Sequence, residues 1–290
     1  MAQPTPAPSP APPSHAAVLL RNALVRPVAL LGGALIDGLE FIGGHGLLLL
    51  DTAKSARVGL LNKRTRRMGW ENLWAQMVRV GVKSIPIVSL VMFCIGAILA
   101  LQMAPILRSY GVVQQTADII SIATFRELGP LVSAIVLTGF AGASIAAEIG
   151  SMVVSEEIEA LEAQAIPPVR FLVLPRVLAT AVMMVCVAVV GDLLGIAGGL
   201  FVGSTFIGIE PAQYLQRTFA AVQLLDFLTG LVKAAVFGTI ISSLACYLGL
   251  GVTGGAQGVG VATTRTVVLT IVALITVDLM FTAAFYYLGW

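Results

Sequence analysis

SIPIVSLVMFCIGAILALQMAPIL, residues 84–107, runs without a charge from Lys83 to Arg108. A hydrocarbon core about 30 Å thick is crossed by about 20 apolar residues at about 1.5 Å each, so this stretch reads as a membrane-spanning helix. Four more segments meet the same length. The second follows Glu127 and is uncharged up to Glu148, the third (177–203) holds only Asp192, the fourth (227–249) only Lys233, and the fifth (266–289) only Asp278. The whole chain agrees: 58% of its 290 residues are hydrophobic and 11% charged, against about 45–50% and about 25% in soluble domains. The expected fold class is an all-α integral membrane protein with five transmembrane helices, N-terminal interfacial amphipathic helices and a short helix in a cytoplasmic loop.

Residues 1–16 are rich in Pro and Ala, and they carry no Lys or Arg. They lack the basic start of a signal peptide and read as a disordered tail. Residues 17–83 are expected to form interfacial and membrane-anchoring helices. Within them, the stretch 27–50 is interrupted by Asp37, Glu40, His45 and six glycines, which suits a helix at the interface better than a crossing. The basic run Lys63, Arg64, Arg66 and Arg67 is followed by Trp70 and Trp74 beside Arg79 and Lys83, a mixture that anchors a segment at a cytoplasmic lipid surface. With the N-terminus in the cytoplasm, thirteen Lys and Arg fall inside, and three, Arg108, Arg126 and Arg217, fall outside. That asymmetry is the one the positive-inside rule favours, and it leaves the C-terminus outside. Residues 84–290 form the five-span domain.

In the loop after the second span, residues 155–165 read SEEIEALEAQA. Ser155 is suited to N-cap a helix, Glu156 and Glu157 sit where the helix dipole favours carboxylates, and Pro167-Pro168 stops the run. Ile158, Leu161 and Ala165 make a short apolar stripe flanked by Glu156, Glu159 and Glu162. Periodicity leaves two readings open: a helix that docks into a groove on a partner, or a solvated loop helix kept out of the membrane by its charges.

An ionisable residue in hydrocarbon costs about 2.5–3.5 kcal/mol on insertion scales, so each needs a partner or a wet cavity. Glu127, Asp192, Lys233 and Asp278 are the candidates, all expected in the outer half. Asp278 sits about 16 Å from the outer end of its helix. Lys233 and Asp278 are read either as an interhelical ion pair or as the lining of a polar cavity. Glycines and alanines crowd the second and third spans, as they do where membrane helices approach closely.

Several classes are set aside. Cys94, Cys186 and Cys246 lie apart in apolar runs, and His15 and His45 have no partner at ligand spacing, so no metal site is expected. A net charge of +2 without basic patches interleaved with aromatics gives no nucleic-acid partner. The Gly-rich run 249–260 lacks the phosphate-loop pattern and reads as a flexible turn. No nucleophile elbow or paired-carboxylate site is visible, so the chain is expected to be no enzyme and to carry no cofactor of its own.

The runs RELGP (126–130), GASIAAEIGSM (142–152), EEIEAL (156–161) and ATTRTVV (262–268) resemble the signature stretches of MlaE/YrbE permeases, subunits of ATP-binding-cassette lipid transporters. The match runs from about residue 60 to 289 in order. One departure is Phe140, which follows Gly139 where relatives commonly carry Arg. The resemblance implies a permease subunit acting as a homodimer in a bacterial inner membrane, moving lipid, most simply phospholipid. ATP would be hydrolysed on a cytoplasmic ATPase subunit, and a periplasmic Mce-type lipid-binding protein would be the other partner. It implies a coupling role for Glu148, Ser155, Glu156, Glu157, Ile158, Glu159 and Leu161, and a charged network near the lipid cavity from Arg126, Glu127, Lys233 and Asp278. The competing expectation is an ion-coupled secondary carrier using Glu127, Asp192 and Asp278, although such carriers commonly show internal repeats and none is visible.

Overall fold

The computed structural model describes residues 15–61 and 63–289, with side chains described at 32–33, 36–57 and 72–289. The tail expected over 1–16 and the basic run at Lys63–Arg67 therefore lie largely outside the described residues and side chains. The described residues are helical, with no strand among them. The chain divides between Leu47 and Leu48 into two units; a single helix, His15–Leu61, supplies the described part of the first.

Among the described residues, five helices are long and apolar enough to cross a membrane: Asn72–Ser109, Val113–Val154, Val169–Ile207, Leu224–Leu250 and Gly255–Leu288, called spans one to five below. They run alternately up and down. The short helix Glu157–Ala163 joins spans two and three at one end of the bundle, called the loop-helix end. The helix Pro211–Ala221 joins spans three and four at the opposite end. Spans one to three reach well past their uncharged stretches, taking in Arg79, Arg126, Glu127, Glu148 and Arg176, because each of these charges is paired inside the bundle. Span one begins at Asn72 because the helix Lys63–Val80 joins it through a single 3-10 turn, Val82–Ser84. The last turns of that helix pack on span three. Val80 there is buried with Val177 and Met184.

Span three sits in the middle, packed on spans one, two and four. Glycine permits the approach. A methyl added at Gly96 would fall on the carbonyl oxygen of Gly195, and one added at Gly198 on the carbonyl oxygen of Phe93. In lipid no hydrophobic drive pulls helices together, so backbone-to-backbone packing carries the association. The buried core, including Leu137, Ile145, Ile149, Phe237 and Ile241, fills the space between spans two, three and four. Span five has the smallest buried share of the five, and Val268, Val272, Ile275 and Leu279 along it are exposed.

Spans two and three are not uniform α-helices. Wide π-turns occupy Thr124–Leu128, Thr138–Gly142, Val169–Val173 and Gly203–Ile207. Two lie just before prolines, Pro130 and Pro175. A proline in a helix lacks the N–H that would bond four residues back, and its ring crowds that carbonyl. Widening the preceding turn relieves both, and the N–H of Gly129 bonds the carbonyl of Thr124, five residues back. The Gly-rich run also differs from expectation. Span five already starts at Gly255, leaving only residues 251–254 as a loop, with Gly254 and Gly255 at φ of 86° and 68°.

Glycine contacts make a direct test. Gly198→Val should lower the thermal unfolding midpoint in detergent by an amount equivalent to about 1–3 kcal/mol. Gly139→Ala, where nothing lies within 4 Å of the added carbon, should leave the midpoint unchanged or raise it.

Candidate functional site

Three spans bring their charges together near the end opposite the loop helix. Lys233, in the third turn of span four, is 1% exposed, and its ammonium donates to Glu127 Oε2 at 2.7 Å and to Asp278 Oδ1 at 2.9 Å. A third donation, at 3.2 Å, goes to the hydroxyl of Thr282, which itself donates to Glu127 Oε1 at 2.9 Å. All three N–H groups of the ammonium are therefore used. The Phe285 ring lies 5.8 Å from the nitrogen and adds a cation–π contact on one side. One cation is thus shared between two carboxylates, of which the Glu127 side chain stays 35% exposed while that of Asp278 is 14% exposed.

The π-turn positions these groups. Arg126 and Glu127 both lie on it. Glu127 faces Lys233, and Arg126 pairs with Asp226 at 3.3 Å. Asp226 also closes a capping box, accepting from the N–H of Gln223 at 3.0 Å. Asp226 and Lys233 are seven residues apart on span four, about 10 Å along one face. The Arg126 pair thus sits nearer the helix end and the Lys233 cluster deeper. Of the four expected network residues, Glu127, Lys233 and Asp278 meet directly, and Arg126 forms an adjoining pair. Asp192 stays apart: it is 4% exposed, packed where a methyl on Gly129 would fall, with Oδ1 lacking a hydrogen-bond partner.

At the loop-helix end a second cluster centres on Glu148 near the end of span two. It accepts from Arg79 at 2.7 Å and from Arg176 at 3.0 Å, tying spans one, two and three together. Arg176 is buried and also bonds the carbonyl of Leu172 at 2.9 Å, whereas Arg79 is half exposed and reaches Ser144 at 3.4 Å. Glu148 thus points into the bundle rather than away from it.

The loop helix is shorter than expected, Glu157–Ala163, and Ser155 does not cap it. The cap position is Glu156, at φ 59°. The Ser155 hydroxyl instead turns back to the carbonyls of Ser151 and Met152 and meets Glu157 Oε1 at 3.0 Å. The cause is the absence of a linker: span two ends at Val154, so residue 155 still belongs to its last turn, and the reversal falls on Glu156. Ala165, at φ 57°, closes the far side, outside the helix. Ile158 and Leu161 are half-buried, while Glu156, Glu157, Glu159 and Glu162 are exposed. The helix turns its apolar pair inward and its carboxylates outward.

Sequence reading missed several partners. Thr282 lies four residues after Asp278, one helical turn along the same face, a spacing that could have marked it. Asp226 carries the signal of an acid in a helix's first turn. Arg79 and Arg176 as partners of Glu148 leave no local signal, since they lie 69 and 28 residues away.

Removing one member of such a cluster strands the rest. Lys233→Met should destabilise the protein by about 3–5 kcal/mol, because two carboxylates lose their shared cation. Adding Glu127→Gln and Asp278→Asn should recover much of that loss, read as thermal midpoints in a mutant cycle. At the other end, Glu148→Ala should cost more than Arg79→Ala, since it leaves the buried Arg176 without its carboxylate, whereas the exposed pair is worth about 0–1 kcal/mol.

Comparison with known proteins agrees with this architecture. The family model described as Permease MlaE matches residues 73–284. A protein of Rickettsia typhi named "Probable ABC transporter permease protein" is 40% identical over 193 residues, 67% of this chain and 74% of that one. A Synechocystis protein of the same designation is 36% identical over 208 residues, 72% of this chain and 79% of its own. The chloroplastic protein TRIGALACTOSYLDIACYLGLYCEROL 1 of Arabidopsis thaliana is 29% identical over 220 residues, 76% of this chain and 63% of its own length. With five spans among the described residues and the family model matching residues 73–284, most of its length, the chain belongs to the MlaE permease family.

Proposed function

We propose that this permease is the membrane-spanning subunit of an ATP-driven lipid transporter. The observation that carries the reading is the division of the bundle into two charged ends. One end exposes a short acidic helix fixed tightly between spans two and three, and the other holds the half-open Lys233 cluster. Such a layout suits a machine driven from one side and loaded on the other. The family supports the permease role, and one relative bears the name of a glycerolipid.

In this reading the loop-helix end faces the cytoplasm of a bacterial cell across its inner membrane, the orientation that the Lys and Arg asymmetry favours. Glu156, Glu157, Glu159 and Glu162 present carboxylates to a cytoplasmic ATPase. Ile158 and Leu161 anchor the helix to the permease, so that a push on it is passed to spans two and three. Two copies enclose the transport cavity, with the exposed apolar face of span five available to the second copy or to acyl chains. Arg126, Glu127, Lys233 and Asp278 lie where a phospholipid head group would rest, and a periplasmic Mce-type protein would receive or deliver the lipid.

The unpartnered carboxylate oxygen of Asp192 favours a second reading, an ion-coupled secondary carrier. Asparagine has the same shape and carries no proton between sides. Asp192→Asn should therefore leave lipid transport intact if ATP drives it, and abolish uptake if a proton gradient does.

Purification from the native membrane in mild detergent, with identification of bound proteins and lipids, tests the main reading. A stoichiometric ATPase and phospholipid enriched over the bulk membrane are the expected result. A chain that purifies alone and takes up solute in ATP-depleted vesicles under a proton gradient would overturn it. Lysine at Glu157 and Glu159 should weaken ATPase association; unchanged association would remove the coupling role from this helix.

A further inference from the structure

At the loop-helix end a cleft of about 220 Å3 opens between the start of span one and the middle of span two. Gln76, Arg79 and Lys83 line one wall, and Phe140, Ser144 and Ile145 the other. Gln76 and Arg79 lie one turn apart on the helix Lys63–Val80, and Lys83 follows on the 3-10 turn Val82–Ser84, so both cations border the same opening. Arg79 and Lys83 both line the cleft, and Arg79 shares the carboxylate of Glu148 with Arg176. Lys83 forms no ion pair among the described residues. The side-chain oxygen of Gln76 is buried and accepts no hydrogen bond. Phe140 on its wall is exposed, as are Val78 and Trp74 on the helix that carries Gln76 and Arg79, and an exposed Trp near Arg and Lys marks the head-group depth of a membrane.

We propose that this cleft is a binding site for an anionic phospholipid of the phosphatidylglycerol class, drawn from the leaflet at the loop-helix end. Arg79 and Lys83 hold the phosphate, which balances the surplus positive charge. The Gln76 oxygen accepts a hydrogen bond from a head-group hydroxyl, and an acyl chain lies along Phe140. Basic pockets between membrane helices take lipid phosphates in this way. A free phosphate ion would satisfy the same cations but would leave the exposed Phe140 on the wall of the cleft uncovered. The site lies at the opposite end of the bundle from the Lys233 cluster and does not rest on what the transporter carries.

Native mass spectrometry of the full chain in detergent, titrated with phosphatidylglycerol or phosphatidylcholine, tests the site. Phosphatidylglycerol should bind at least about fivefold more tightly, and Lys83→Gln should lower its affinity about fivefold while leaving phosphatidylcholine unaffected. Lys54→Gln, at an exposed lysine paired with Asp51, should change neither. Lys83 is exposed, so its variant keeps the fold, as an unchanged thermal midpoint would verify. Equal binding of the two lipids, or an equal loss in Lys54→Gln, would overturn the proposal. Displacement of the lipid by millimolar inorganic phosphate would assign the cleft to a free anion and overturn it as well.

Discussion

A lysine ammonium almost fully withdrawn from water, with each of its three protons committed, sets a condition the rest of the bundle meets. Lys233 comes from span four, its acceptors Glu127 from span two and Asp278 and Thr282 from span five. None of these groups is tolerable alone at that depth. The three helices must therefore keep a fixed rotation and height relative to one another, and the glycine contacts of spans one, three and four supply the rigid backing. The interaction is a constraint on geometry more than a source of net stability, as buried ion clusters commonly are.

Span two connects the two charged regions. It carries Glu127 in the Lys233 cluster and, 21 residues further on, Glu148 between Arg79 and Arg176, about 32 Å along a helix axis. It then passes into the loop helix with almost no linker, through Glu156 in a left-handed conformation that costs a non-glycine residue about 1–2 kcal/mol. A stiff junction of this kind transmits displacement, where a glycine linker would absorb it. Phe140 lines the cleft beside Lys83, on the stretch of span two that lies between the two clusters.

The spans were legible because hydrocarbon imposes a length and a composition that a sequence displays openly. Their ends were not, since Arg79, Arg126, Glu127, Glu148 and Arg176 read as boundaries until their partners are known, and those partners lie on other helices. The Lys233–Asp278 contact was foreseeable from charge scarcity: a single lysine among few acids has few choices. Ser155 misled because its residue type favours capping, while the closeness of two helix ends decided its role. The pairing of Arg126 with Asp226 rather than with the deeper cluster follows from the π-turn, which periodicity at 3.6 residues does not reveal.

That π-turn, and its companion at Thr138–Gly142, give span two a property that a uniform helix lacks. Each holds a residue more than an α-turn, and one residue corresponds to about 100° of rotation. The angular offset between Glu127 and Glu148 is thus written in chain length rather than in side-chain chemistry. Homologous permeases that gained or lost one residue between these positions would need a matching change in a wide turn. Alignment gaps in this stretch are accordingly statements about the rotation of one end of the helix against the other, and they are read with more profit as geometry than as drift.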